Sequence, residues 1–124
     1  MASAALHLLQ GGDGPGLDTA TLQLMLDEEP AAAHLHFALG NHHARTQRWG
    51  EAQAAYFEAW RLEVDNPDYA FNLAVALDQL GQARAAIEYY QRALKNAAAS
   101  GRRPSFDVVA VEARLRSLQA TRPP

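Results

Sequence analysis

The side chains in this sequence best suited to chemistry are its histidines. His34, His36, His42 and His43 fall within ten residues. On a helix, His36 and His43, seven apart, share one face, a spacing that could bring two imidazoles to one metal ion. No carboxylate stands at the spacing of a helical zinc pair such as His-Glu-x-x-His, and no fixed outer hydrogen bonds are evident to orient such ligands. The stronger reading makes His36 and His43 half-buried packing residues of a helix that loosens as its imidazoles take up protons. No metal and no cofactor is expected, and a metal-responsive accessory domain ranks last among the functions considered.

The other groups that catalysis needs are missing. The chain has no cysteine, which removes thiol nucleophiles, disulfides and cysteine metal sites. It has no Gly-x-Ser-x-Gly motif, and the glycines in residues 11–16 lack the lysine and the preceding strand of a phosphate-binding loop. Asp13, Glu28 and Glu29 read as solvated turn and helix-end carboxylates, not as an acid and base pair. With no nucleophile, base and orienting group to set together, the expectation is not an enzyme.

Charge and composition narrow the field further. Eleven Lys and Arg stand against fourteen Asp and Glu, a formal net charge of −3 over 124 residues. That gives no basic field for a phosphate backbone, so nucleic acid is not an expected partner. The apolar run at residues 4–9 is short, contains His7 and has no basic segment before it, so neither a signal peptide nor membrane insertion is expected. The reading is a soluble, cytoplasmic protein unless a targeting segment lies outside the sequence. Alanine dominates the 48% hydrophobic content, which suits closely packed helices in one domain.

The elements that position these residues are therefore helices. Residues 67–94 read as a helix, a turn at Gly81 and a second helix. Phe71, Ala74 and Leu77 recur on the first, and Ala86, Tyr90, Ala93 and Leu94 on the second, at spacings of three and four. Thirty-four residues earlier the same pattern stands: Phe37 for Phe71, Leu39 for Leu73, Gly40 for Ala74, His43 for Leu77, Ala52 for Ala86, Tyr56 for Tyr90, Ala59 for Ala93 and Trp60 for Leu94. Helix pairs repeated at this period must stack to cover their apolar faces.

Both segments resemble tetratricopeptide repeats, through Leu39-Gly40 and Asn72-Leu73-Ala74 in the first helices and AQAAYFEAW and AAIEYYQRAL in the second. The resemblance implies an all-α, helix-turn-helix repeat solenoid of about three units. Residues 1–30 form a degenerate N-terminal repeat, capped at Asp18 or Thr19, with Leu22, Met25 and Leu26 standing 34 residues before Tyr56, Ala59 and Trp60. Its short opening helix points to further repeats before Met1. Residues 31–66 and 67–100 are full repeats, with helices expected at 31–46, 51–64, 67–80 and 82–98. A capping helix at 105–119, with Val108, Val111, Leu115 and Leu118 on one face, covers the end, and 120–124 are expected to be disordered. Gln47 stands where the family has glycine, so the first turn is expected to differ in shape from the one at Gly81.

In the family, the first helix of each repeat lines a concave groove. The positions implied here are His34, Phe37, Asn41 and Arg45, then Asp68, Phe71, Asn72, Val75 and Gln79. Phe37 and Phe71 are either aromatic platforms in the groove or core. Asn41 and Asn72 match two asparagines with which some members clamp a partner's C-terminal carboxylate. Phe37 replaces the expected lysine, however, and only Arg102 or Arg103 could supply the charge, which leaves an apolar, weakly polar groove. The function implied is a protein interaction scaffold that binds a partner peptide or helix within a larger assembly, such as bacterial pilus or secretion machinery. The alternative is a structural module that self-associates, as a homodimer for instance, through its N-terminal edge at Leu22 and Met25.

Overall fold

The computed structural model describes residues 18–121, so the expectations for 1–17 and 122–124 lie outside it. Among the described residues there are six helices and no strand: α1 (Thr19–Glu28), α2 (Ala33–Arg45), α3 (Trp49–Leu62), α4 (Pro67–Gln79), α5 (Ala83–Ser100) and α6 (Val108–Ala120). Each packs chiefly against its neighbours in the chain, as in a stacked array of helix pairs.

Three of the helices begin at side chains that accept orphan backbone N–H groups. Asp18 accepts from the Thr21 N–H at 2.8 Å. Asn66 accepts from the N–H groups of Asp68 and Tyr69, with Pro67 in the first turn. Asp107 accepts from those of Val109 and Ala110.

The two turns within pairs correct an expectation. Gln47 has φ 61° and Gly81 has φ 77°. Arg48 N–H donates to the His43 carbonyl at 2.9 Å, just as Gln82 N–H donates to that of Leu77 at 2.9 Å. The turns share one shape, because the chain must reverse in the same distance at both and only a left-handed residue allows it. Trp49 and Gly50, expected in the turn, belong to the first turn of α3, and Trp49 packs against the core. At the other end Ala120 is helical, not part of a tail.

Small residues set how closely the helices approach. Ala52, Ala59, Ala70, Ala74, Ala76, Ala86 and Ala93 have 0% exposure. At Gly40 even a methyl is too much, since an added Cβ would lie 2.5 Å from two ring carbons of Tyr56. The larger core then fills in around these contacts, with Phe37, Tyr56, Leu73, Tyr90, Val111 and Leu115 among its members. Leu22 and Leu26 of α1 pack with Leu35 and Ala38 of α2 in a second cluster. Leu22 is thus internal rather than an edge residue, whereas Leu24 and Met25 are exposed.

The last junction departs from the repeat. The caps Asn66 and Asp107 are 41 residues apart, seven beyond the 34-residue period. α5 has 18 residues against 14 in α3, and the rest of the surplus lies in the linker at 101–107.

Two substitutions test these backbone constraints. Gly40→Ala gains about 1 kcal/mol of helix propensity but forces overpacking that costs roughly 1–3 kcal/mol, so denaturant unfolding should show a net loss. Gln47→Gly should raise stability by about 0.5–1 kcal/mol, because relief of the left-handed backbone exceeds the added unfolded-state entropy. A stabilised Gly40→Ala protein would mean that the Tyr56 ring yields.

Candidate peptide groove

The residues expected on the groove have different surroundings. His34 and Arg45 are exposed near the two ends of α2, with Phe37 and Asn41 buried between them. The Phe37 ring lies 5.7 Å from Tyr56 and 4.9 Å from Tyr69, the latter on α4. The Phe71 ring lies 6.2 Å from Tyr90 and stacks at 4.6 Å and 17° on Phe106. The Phe37 ring is packed between successive helices and the Phe71 ring between its partner helix and the linker before α6, so neither is an open platform.

The two asparagines are not equivalent. Asn72 Nδ2 donates to the Asp68 carbonyl of its own helix at 2.9 Å. Asn41 Oδ1 accepts the Tyr56 hydroxyl at 2.7 Å, while Asn41 Nδ2 is buried with no partner. Asp68 is engaged as well: its Oδ1 accepts from Ser105 N–H at 3.1 Å and from the Ser105 hydroxyl at 2.8 Å. Arg102 and Arg103 line a separate cleft of about 670 Å³, beside Val64, Asp65 and Pro67, and do not meet Asn41.

An open cleft of about 370 Å³ does lie along α4, between it and α6. Phe71, Val75, Phe106 and Val111 supply its apolar surface, and Gln79, Ala110 and Arg114 line it too. Val75 and Gln79, which the family resemblance puts on the groove stripe, line this cleft. Asp78 and Arg114 line it as well but stand outside that stripe, 36 residues apart in the chain.

These two residues hold the cleft in shape. Arg114 donates from Nε to Asp78 Oδ2 at 2.8 Å and from Nη2 to Oδ1 at 2.7 Å. The Tyr90 hydroxyl donates to the same carboxylate at 2.9 Å. Arg114's hydrogen bonds hold the Asp78 carboxyl below its ordinary 3.8, with Tyr90 assisting and burial opposing. Burial raises the Tyr90 and Tyr56 hydroxyls. It also pushes Tyr69 up to about 12, helped by Glu63 and Asp68. At neutral pH the tyrosines remain donors.

Two of the histidines have local partners. His36 Nε2 lies 2.8 Å from the Pro30 carbonyl and donates to it, and Arg45 Nη2 lies 2.8 Å from His42 Nδ1. Among the described residues no group of three or more His, Cys, Asp or Glu is placed to hold a metal ion. No helix there is long and apolar enough to cross a membrane.

No protein-family model matches this sequence, and no curated protein does. Among solved structures, the type III secretion translocator chaperone SycD of Yersinia enterocolitica is similar, with a TM-score of 0.76 over 94% of this chain and 79% of that one. The fold is a tetratricopeptide-like helical repeat. Sequence identity with SycD is 17%, so the likeness is one of fold.

The Asp78–Arg114 link carries a pH dependence. A carboxyl held below its ordinary value stabilises the fold fully above about pH 4 and loses that contribution as pH falls through the folded value. Arg114 is half exposed, so Arg114→Met should cost about 1 kcal/mol at pH 7. In denaturant unfolding, the gap between native and variant chains should close towards pH 2. A gap that stays constant with pH would assign the loss to packing.

Proposed function

We propose that this chain is a non-catalytic interaction scaffold of the tetratricopeptide kind, holding an extended segment of a partner protein in the cleft between α4 and α6. The observation that carries the reading is the cleft itself. Its surface is apolar at Val75, Phe106 and Val111, and polar groups with hydrogen-bonding capacity stand beside it. Arg114 uses Nε and Nη2 on Asp78 and keeps Nη1 for another acceptor, and the Gln79 amide is exposed. An apolar recess with a few convergent donors takes one or two side chains and fixes the main chain beside them. At about 370 Å³ it is too small for a whole helix.

Asn41 is 1% exposed and stays internal; the exposed residues of the α2 stripe are His34 and Arg45, near its ends, and Asp68, Phe71 and Asn72 support the α4 side from below. The likeness to a secretion translocator chaperone favours a partner that is itself a protein component of an assembly, in bacterial secretion or a related machinery.

A second reading, self-association, draws on α1, where Leu24 is 68% and Met25 39% exposed. Leu22 is no test of it, being core.

Ala110 lines the cleft yet is exposed, so Ala110→Arg fills the recess without touching the core. With a partner captured from the source cells, this variant should bind at least about tenfold more weakly, or 1.4 kcal/mol, with an unchanged circular dichroism spectrum. Undiminished affinity would move the contact elsewhere. Sedimentation velocity of the native and Leu24→Glu chains tests self-association: a dimer that the substitution dissociates supports it, and a native monomer removes it.

A further inference from the structure

The two junctions between successive helix pairs solve the same packing problem with different parts. At the first, Phe37 is covered by Tyr69, which lies inside α4 and whose N–H is held by the Asn66 cap. At the second, Phe71 is covered by Phe106, which lies outside any helix, ahead of the Asp107 cap of α6. Phe106 belongs to the linker at 101–107, in which Gly101, Arg102, Arg103, Ser105 and Asp107 are exposed. Beside it, the Ser105 N–H and hydroxyl both donate to the Asp68 carboxylate.

An aromatic ring on Phe71 and an adjacent N–H and hydroxyl on Asp68 are contacts that a short extended peptide could make. They fall on two residues of the α4 stripe, and Ser105, Phe106 and Asp107 wall the cleft described above. The surplus residues of this junction give the segment length that the first junction lacks.

We propose that the linker at 101–107 is a strap that occupies the α4 side of the groove as a partner would. An incoming segment with an aromatic residue directly after a hydroxyl-bearing one displaces it, its own ring taking the place of Phe106 as a wall of the cleft, and loosens the start of α6. The proposal rests on the groove reading and adds the partner's chemistry and a regulatory step. It needs no strained intermediate, because one set of ring and carboxylate contacts is exchanged for an equivalent set, and the balance is set by the competitor's concentration. Displacement reaches the start of α6 because the strap runs directly into the Asp107 cap, leaving the helix held by Arg114 on Asp78 and by its buried face at Val111, Leu115 and Leu118.

The test uses the strap as its own probe. A capped, fluorescent peptide of sequence Gly-Arg-Arg-Pro-Ser-Phe-Asp is titrated onto the native chain and onto chains with a weakened strap, Ser105→Gly with Phe106→Ala, and separately Phe106→Leu, which keeps apolar bulk if the first variant unfolds. The peptide should bind a weakened-strap chain at least tenfold tighter than the native chain. That binding should be lost when the peptide's Phe is replaced by Ala or when the chain carries Asp68→Ala, which removes the acceptor. At saturation on the native chain, amide exchange at the start of α6 should rise several-fold. Equal affinity for native and folded variant chains, or no binding to either, overturns the strap. Binding to the native chain with unchanged exchange at the start of α6 also overturns it while leaving the groove intact, and failure of the groove itself would show separately in the Ala110→Arg measurement.

Discussion

The ring of Tyr56 rests against a backbone that has no side chain. A methyl at Gly40 would intrude to 2.5 Å, so α2 and α3 cross with only hydrogen atoms between one helix and the aromatic face of the other. That approach fixes where the Tyr56 hydroxyl ends, which is at Asn41, one residue on from Gly40. In the next pair the matching residues are Ala74 and Tyr90, both buried. There the hydroxyl reaches Asp78 instead. The rest of the molecule follows from these two crossings, because each sets the face that its first helix offers to what comes next.

How much of this was legible depended on the range of the interaction. Helix existence and pairing were legible because a 34-residue repeat of large and small residues carries them, and Phe37, Tyr56, Phe71 and Tyr90 all stand at repeated positions. Helix ends shifted by a few residues, as at Trp49, where composition resembles a turn although the backbone is helical. The turn at Gln47 was misread because residue type was taken to decide backbone shape. Its φ of 61° shows the closure of the hairpin deciding it, at a local cost that the packing of α2 on α3 offsets.

The candidate site was less legible, for a physical reason. The groove stripe is what the family resemblance implies, and the helical spacing that makes it continuous gives the direction of a side chain but not what covers it. Val75 and Gln79 do line a cleft. Asp68 and Phe71 point the same way and are covered, because Ser105 and Phe106 arrive from a junction that breaks the period. A repeat carries no information about the place where it ends. The residues that matter there, Asp78, Phe106 and Arg114, stand outside the repeated pattern and are joined only in three dimensions.

The contrast between the two tyrosines shows why the end of the array and the cleft belong together. A buried phenol needs an acceptor. Asn41 provides one at the first pair but leaves its own Nδ2 without a partner. Asp78 provides one at the second pair, and its charge requires a cation. That cation is Arg114, supplied by α6, so the choice of carboxylate over amide brings a further helix into place. With the helix come the linker, the Phe106 ring and the far wall of the cleft. The cleft beside α4 is thus a consequence of how one hydroxyl group is satisfied, at the place where the repeat gives way to something else.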